Sequence, residues 1–68
     1  MNAARIQTSP RLKRVGDYLS DGREHTTLDI VQACQVCAVN SIIAELRQNG
    51  RVIHCQRRGD IWYYRMEL

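Results

Sequence analysis

The sequence has no run of about 18 apolar residues, so it carries no candidate membrane span. The first ten residues, MNAARIQTSP, lack the apolar centre of a secretion signal, and the expected setting is cytoplasmic. Cysteine is sparse and odd in number: Cys34, Cys37 and Cys55 cannot all pair within one chain, which argues for free thiols in a reducing compartment. There is no phosphate-binding glycine loop, no nucleophile elbow and only two histidines, so an enzyme is not expected. Internal repeats, linkers and low-complexity segments are also missing. Lysine is nearly absent: nine of the ten basic residues are arginine. Arginine makes bidentate contacts to phosphate and guanine that lysine cannot.

What remains is one small domain. The chain has 68 residues, 44% of them apolar, enough for a single core and too many for a disordered segment. A domain of this size buries only about 60% of the surface its unfolded chain exposes, so its stability is marginal. The formal charge of +3 fits a polyanionic partner without demanding one.

Residues 1–8 carry little pattern and are expected to form a flexible N-terminus, with the domain spanning 9–68. Ser9-Pro10 is a helix-start signal, with Ser as cap and Pro in the first turn. A helix from Pro10 to about Asp21 places Leu12, Val15 and Leu19 on one apolar stripe, flanked by Tyr18. Gly16 weakens that helix but permits close packing, and Gly22 supplies a left-handed cap. Arg11, Lys13 and Arg14 lie off the stripe. They read as a solvated face, with phosphate contact as the alternative. Arg23 to His25 reads as a polar connector, and the lone His25 has no assigned role.

The stretch Thr26 to Gly50 organises the rest. Thr26 and Asp29 have capping-box spacing, and a short helix with Leu28, Ile30, Val31 and Cys34 as its apolar set follows. The apolar period then slips. Leu28–Val31–Cys34 carries one stripe, and Val36–Val39–Ile43–Leu46 carries another. A turn near Gln35 and Val36 lets both face one core; the alternative is one unbroken helix from Thr27 to Asn49. The second helix of the pair runs from about Cys37 to Asn49, with Val39, Ile42, Ile43 and Leu46 inward, and Gly50 ends it. From Arg51 the period becomes that of strands. RVIHCQ and IWYYRM flank the turn signal RRGD. With the turn at Arg58-Gly59, Cys55 faces Trp62 and Ile53 faces Tyr64. These four share a buried face with Met66, while His54, Gln56, Ile61, Tyr63 and Arg65 take the other. A wider loop from Arg57 to Asp60 is the alternative.

Three helices followed by a hairpin predict an α+β fold of the winged helix-turn-helix type. The segment VNSIIAELRQNGRVIHCQRRGDIWYYRM resembles the recognition helix and wing of prokaryotic winged-helix regulators. The points of likeness are Leu46 through Gly50 closing the helix, the turn Arg57-Arg58-Gly59, and the closing strand Tyr63-Tyr64-Arg65-Met66. The wing is most similar to the arsenic-repressor type. The length, and TLDIVQACQV before an E-L-R-x-x-G helix, resemble small winged-helix proteins carried by phages and prophages.

The resemblance, which covers about residues 10–66, implies a DNA-binding protein that regulates transcription or serves a phage as an accessory factor. It implies double-stranded DNA as partner, with the helix after the turn in the major groove. Carried over, the candidate contacts are Cys37, Ala38, Asn40, Ser41 and Ala44 on base edges, Arg47 and Gln48 on the backbone, and Arg57 and Arg58 of the wing on phosphates or in a minor groove. Asn40 suits adenine. Cys37, Ala38 and Ala44 are small and offer few hydrogen bonds, so base readout there is thin. A solvated turn is the bland reading of the wing arginines. A homodimer or a larger complex is expected, because a single small module binds weakly.

Three other readings stay open. A protein-interaction module would use the same exposed helix. A zinc site would use Cys34-x-x-Cys37 with His54 or Cys55, although small buried cysteines explain the spacing more simply and no metal or other cofactor is expected. Asn40 and Trp62 resemble the contacts of Z-form duplex binders, but Ala44 stands where those proteins carry Tyr, the paired prolines before the Trp are absent, and Trp62 falls on the face expected to be buried.

Overall fold

The structure, a computed structural model, describes residues 9–68, and the expectation for residues 1–8 lies outside the described residues. Helix α1 spans Pro10–Tyr18 and tightens into a 3-10 turn over Leu19–Asp21. The Ser9 hydroxyl accepts from the Leu12 amide at 3.5 Å, and Gly22 closes the segment at φ 72°. Strand β1 is His25–Thr26, α2 is Thr27–Cys34 and α3 is Val39–Gln48. Strands β2 (Ile53–Arg58) and β3 (Ile61–Met66) form the hairpin. This is an α+β fold in the winged-helix layout, with a three-stranded antiparallel sheet ordered β1-β3-β2.

The capping box forms in full. The Asp29 amide donates to the Thr26 hydroxyl and the Thr26 amide donates to the Asp29 carboxylate, both at 3.0 Å. Gln35 then stops α2 in the left-handed region at φ 56°, its amide donating to the Val31 carbonyl at 2.9 Å. Glycine or asparagine usually takes such a cap, and here the chain makes the turn without either. The two helices are bent by 87° across the four residues between them, a helix-turn-helix rather than one long helix. Helix α3 starts at Val39, two residues later than expected.

The helical stripes meet as the sequence pattern requires. Leu12, Val15, Leu19, Ile30, Cys34, Val36, Val39, Ile42, Ile43 and Leu46 are buried, and Ile53, Tyr64 and Met66 close the core from the sheet. At about 25 cal/mol per Å2 of apolar surface, a fully buried Leu or Ile stabilises by about 1.5–3 kcal/mol. Gly16 faces Leu46, whose Cδ2 lies 3.7 Å from where a β-carbon would stand, so α1 and α3 pack closely there. Arg14 ties the layer together: its Nε donates to the Cys34 carbonyl at 2.9 Å, at the C-terminal end of α2. Arg11 pairs with Glu45 of α3 at 3.1 Å, and Lys13 with Asp17 at 3.0 Å.

Several expectations are corrected. Leu28 is 62% exposed and does not belong to the core. Arg14 is a structural link and not part of a purely solvated face. His25 has a role: it pairs with Tyr64 in the sheet, its Nε2 lies 2.9 Å from the Asp21 carboxylate, and its ring packs against that of Tyr18, tilted by 44° with centroids 4.4 Å apart. The hairpin register differs by two residues. Cys55 pairs with Tyr64, Ile53 with Met66 and Arg57 with Trp62. The physical reason is the turn: its central pair is Gly59-Asp60, and Gly59 takes φ 63° at the position a type II′ turn reserves for glycine. Centring the turn on Arg58-Gly59 would push Arg58 toward that strained conformation. A two-residue shift preserves which face each side chain takes. It does bring Trp62 one residue nearer the turn and Cys55 one residue farther from it, and both are exposed.

Candidate nucleic-acid interface

Helix α3 presents Asn40, Ser41, Ala44, Arg47 and Gln48 to the exterior, opposite Ile42, Ile43 and Leu46. Cys37 and Ala38, in the turn before it, are also exposed. Ala38 stands at the N-cap and offers no side-chain oxygen, and the first turn holds no acid. An open groove of about 350 Å3 lies over this end, lined by Thr27, Cys37, Ala38, Val39, Asn40 and Ser41. Amide N–H groups at a helix start favour an anion, and no carboxylate of α3 opposes one here.

Asn40 is not a free side chain. The hydroxyl of Tyr64, itself only 4% exposed, donates to Asn40 Oδ1 at 3.1 Å. The sheet therefore holds the amide in the first turn of α3 in a set orientation. Oδ1 keeps a second lone pair and Nδ2 keeps its hydrogens, so pairing with an adenine edge stays geometrically open.

The arginines divide by what already occupies them. Arg47 donates to the Ile53 carbonyl through Nη2 at 2.7 Å and Nε at 3.3 Å, linking α3 to β2. Arg57 donates to the Gly59 carbonyl at 2.8 Å and lies 3.8 Å from Asp60. Arg58 pairs with Glu24 at 2.6 Å, and its guanidinium sits 4.3 Å over the Tyr63 ring. The hydrogen bond to Glu24 holds Arg58 above its ordinary pKa. Each wing arginine therefore already has an internal partner that a phosphate would share or displace. Two others, Arg51 and Arg65, are exposed and form no ion pair among the described residues. Sequence reasoning passed over both; an arginine directly after the closing Asn49-Gly50 was the available signal for Arg51.

The cysteines do not assemble. Cys34 is buried, and that burial pushes its thiol pKa up while Arg14 opposes the shift. Cys37 and Cys55 are exposed, which corrects the expectation of small buried thiols. Among the described residues, no three His, Cys, Asp or Glu side chains cluster as a metal site would require. Trp62, expected to be covered, is 43% exposed. No single helix among the described residues is long and apolar enough to cross a membrane. No family model, curated protein or solved structure matches the chain significantly.

Proposed function

We propose that this chain binds double-stranded DNA as a winged helix, with α3 in the major groove and the β2–β3 wing on the flanking backbone. In cells it would act as a small cytoplasmic regulator of transcription or as a phage accessory factor. The observation that carries the reading is the Tyr64–Asn40 hydrogen bond. An exposed amide fixed from behind by a buried tyrosine has already lost much of its rotamer freedom, so less entropy is lost when it meets a base. The acid-free face of α3 and the arginines of the wing support the same orientation. Affinity from one such module is low, and a homodimer or larger assembly would supply the remainder.

The experiment is an NMR titration of the protein with random-sequence duplex at two salt concentrations. Amides of residues 37–48 and 57–60 should shift together, and affinity should fall steeply with salt. Arg57→Ala and Arg58→Ala should weaken binding to all sequences and lower the salt slope by about one each. Asn40→Ala should instead change sequence preference. Shifts confined to other surfaces, or none, would remove the DNA reading. The small side chains of Cys37, Ala38 and Ala44 favour a second reading, a smooth docking face for a protein, which predicts the same surface but no salt-steep duplex binding.

A further inference from the structure

A second groove, of about 410 Å3, runs between the start of α2 and the tip of the wing, lined by Thr26, Thr27, Leu28, Asp60, Ile61 and Trp62. Its volume falls within the ~300–1,000 Å3 range of small-molecule sites. Its apolar members are large hydrophobic side chains left open: Leu28 is 62% exposed, Ile61 49% and Trp62 43%. At the wing end Arg57 is the cross-strand partner of Trp62, and it is held there by the Gly59 carbonyl and the Asp60 carboxylate. Thr27 lines both this groove and the one over the start of α3. The two grooves thus meet at Thr27, with Asn40 and Ser41 lining one and Trp62 the other.

Three considerations select the occupant. An aromatic ring with aliphatic neighbours gains nothing from a phosphate backbone, which is recognised by charge. A base stacked inside a duplex offers only its edges, and its π-face becomes available once it is unstacked. A second copy of the chain fits poorly, because three partly open side chains fall well short of the ~800 Å2 per partner of a standard interface. We infer that this groove takes the face of an unstacked nucleobase on Trp62, with Arg57 on its phosphate, so that the preferred ligand is a duplex carrying an unpaired extra nucleotide. The inference rests on the DNA-binding reading and adds a distinct ligand preference to it.

Trp62 is the sole tryptophan in the chain, so its emission reports on this groove alone. The test titrates the protein with a matched duplex and with the same duplex bearing one unpaired adenine, following both Trp62 emission and the anisotropy of labelled DNA. The bulged duplex should bind roughly tenfold more tightly and quench Trp62. Trp62→Ala should abolish that preference while leaving matched-duplex binding in place, and Trp62→Phe should restore part of it. Circular dichroism checks that both variants fold, as an exposed position allows. Equal affinity for the two duplexes with unchanged emission would overturn the inference and leave the DNA reading standing. Failure to bind either duplex would overturn both. Emission that changes with protein concentration alone would assign the groove to a second copy and overturn the inference.

Discussion

Replacing Tyr64 by Phe removes one oxygen and leaves a buried ring in place. The hydroxyl donates to Asn40 Oδ1 at 3.1 Å, and a bond of this kind contributes about 0.5–1.5 kcal/mol net. Asn40 is exposed, so water can take the place of the lost donor, which puts the cost near ~0.5–1 kcal/mol. For a domain of 60–100 residues each kcal/mol is worth about 4–8 °C, so Tm should fall by roughly 2–8 °C. Tyr64→Ala is a different perturbation. Emptying an aromatic site costs about 3–5 kcal/mol, against a total of roughly 3–10 kcal/mol for a chain of this length, and that variant should be largely unfolded. The informative measurement is a double-mutant cycle in urea with Tyr64→Phe, Asn40→Ala and the pair. A coupling energy of about 0.5–1 kcal/mol is expected. In DNA binding, Tyr64→Phe should lower discrimination between sequences with little change in the salt slope, because no phosphate contact is lost. A coupling of zero, or a phenylalanine variant with undiminished discrimination, would refute the idea that the sheet orients Asn40.

Gly16→Ala should stabilise the protein by about 0.5–1 kcal/mol in urea denaturation, because the helix gains propensity and the new methyl meets Leu46 at an ordinary 3.7 Å. Glu24→Gln should raise duplex affinity and steepen its salt dependence, since Arg58 is freed from a 2.6 Å ion pair. Thr26→Ala should cost about 1 kcal/mol, as loss of half the capping box requires. Acid should destabilise through two carboxylates. Asp29 lies below its ordinary pKa because the Thr26 amide and hydroxyl donate to it; Asp21 does so because the Arg23 amide and then His25 donate to it. A carboxylate whose folded pKa is depressed stabilises above its unfolded value of about 3.9 and loses that contribution as pH falls through the lower folded value. Stability should therefore decline as pH falls below about 4, and Asp29→Asn should flatten the decline.

Local signals determined a large part of this molecule. Ser9-Pro10, the Thr26–Asp29 box, Gly22 and Gly50 mark helix ends through interactions a few residues long, which the sequence displays directly. The apolar stripe of α3 fixed which of its sides is buried, and with it placed Asn40, Ser41 and Ala44 outside. The two-residue period of the hairpin fixed its faces but not its register, because a shift of two leaves every face unchanged. Only the glycine requirement of the turn at Gly59 decided that. Strand β1 is two residues long, too short for any period to show, so the sheet's third strand and the role of His25 emerged only on folding. The same holds for what occupies each candidate contact. Arg47, Arg57 and Arg58 look alike in sequence, yet a carbonyl of β2, the turn and Glu24 each claim one of them. Tyr64 reaches Asn40 across 24 residues, and Thr27 and Leu28 line one groove with Trp62, more than about 30 residues on. Such contacts depend on how the layers close, and no short-range pattern in the chain encodes them.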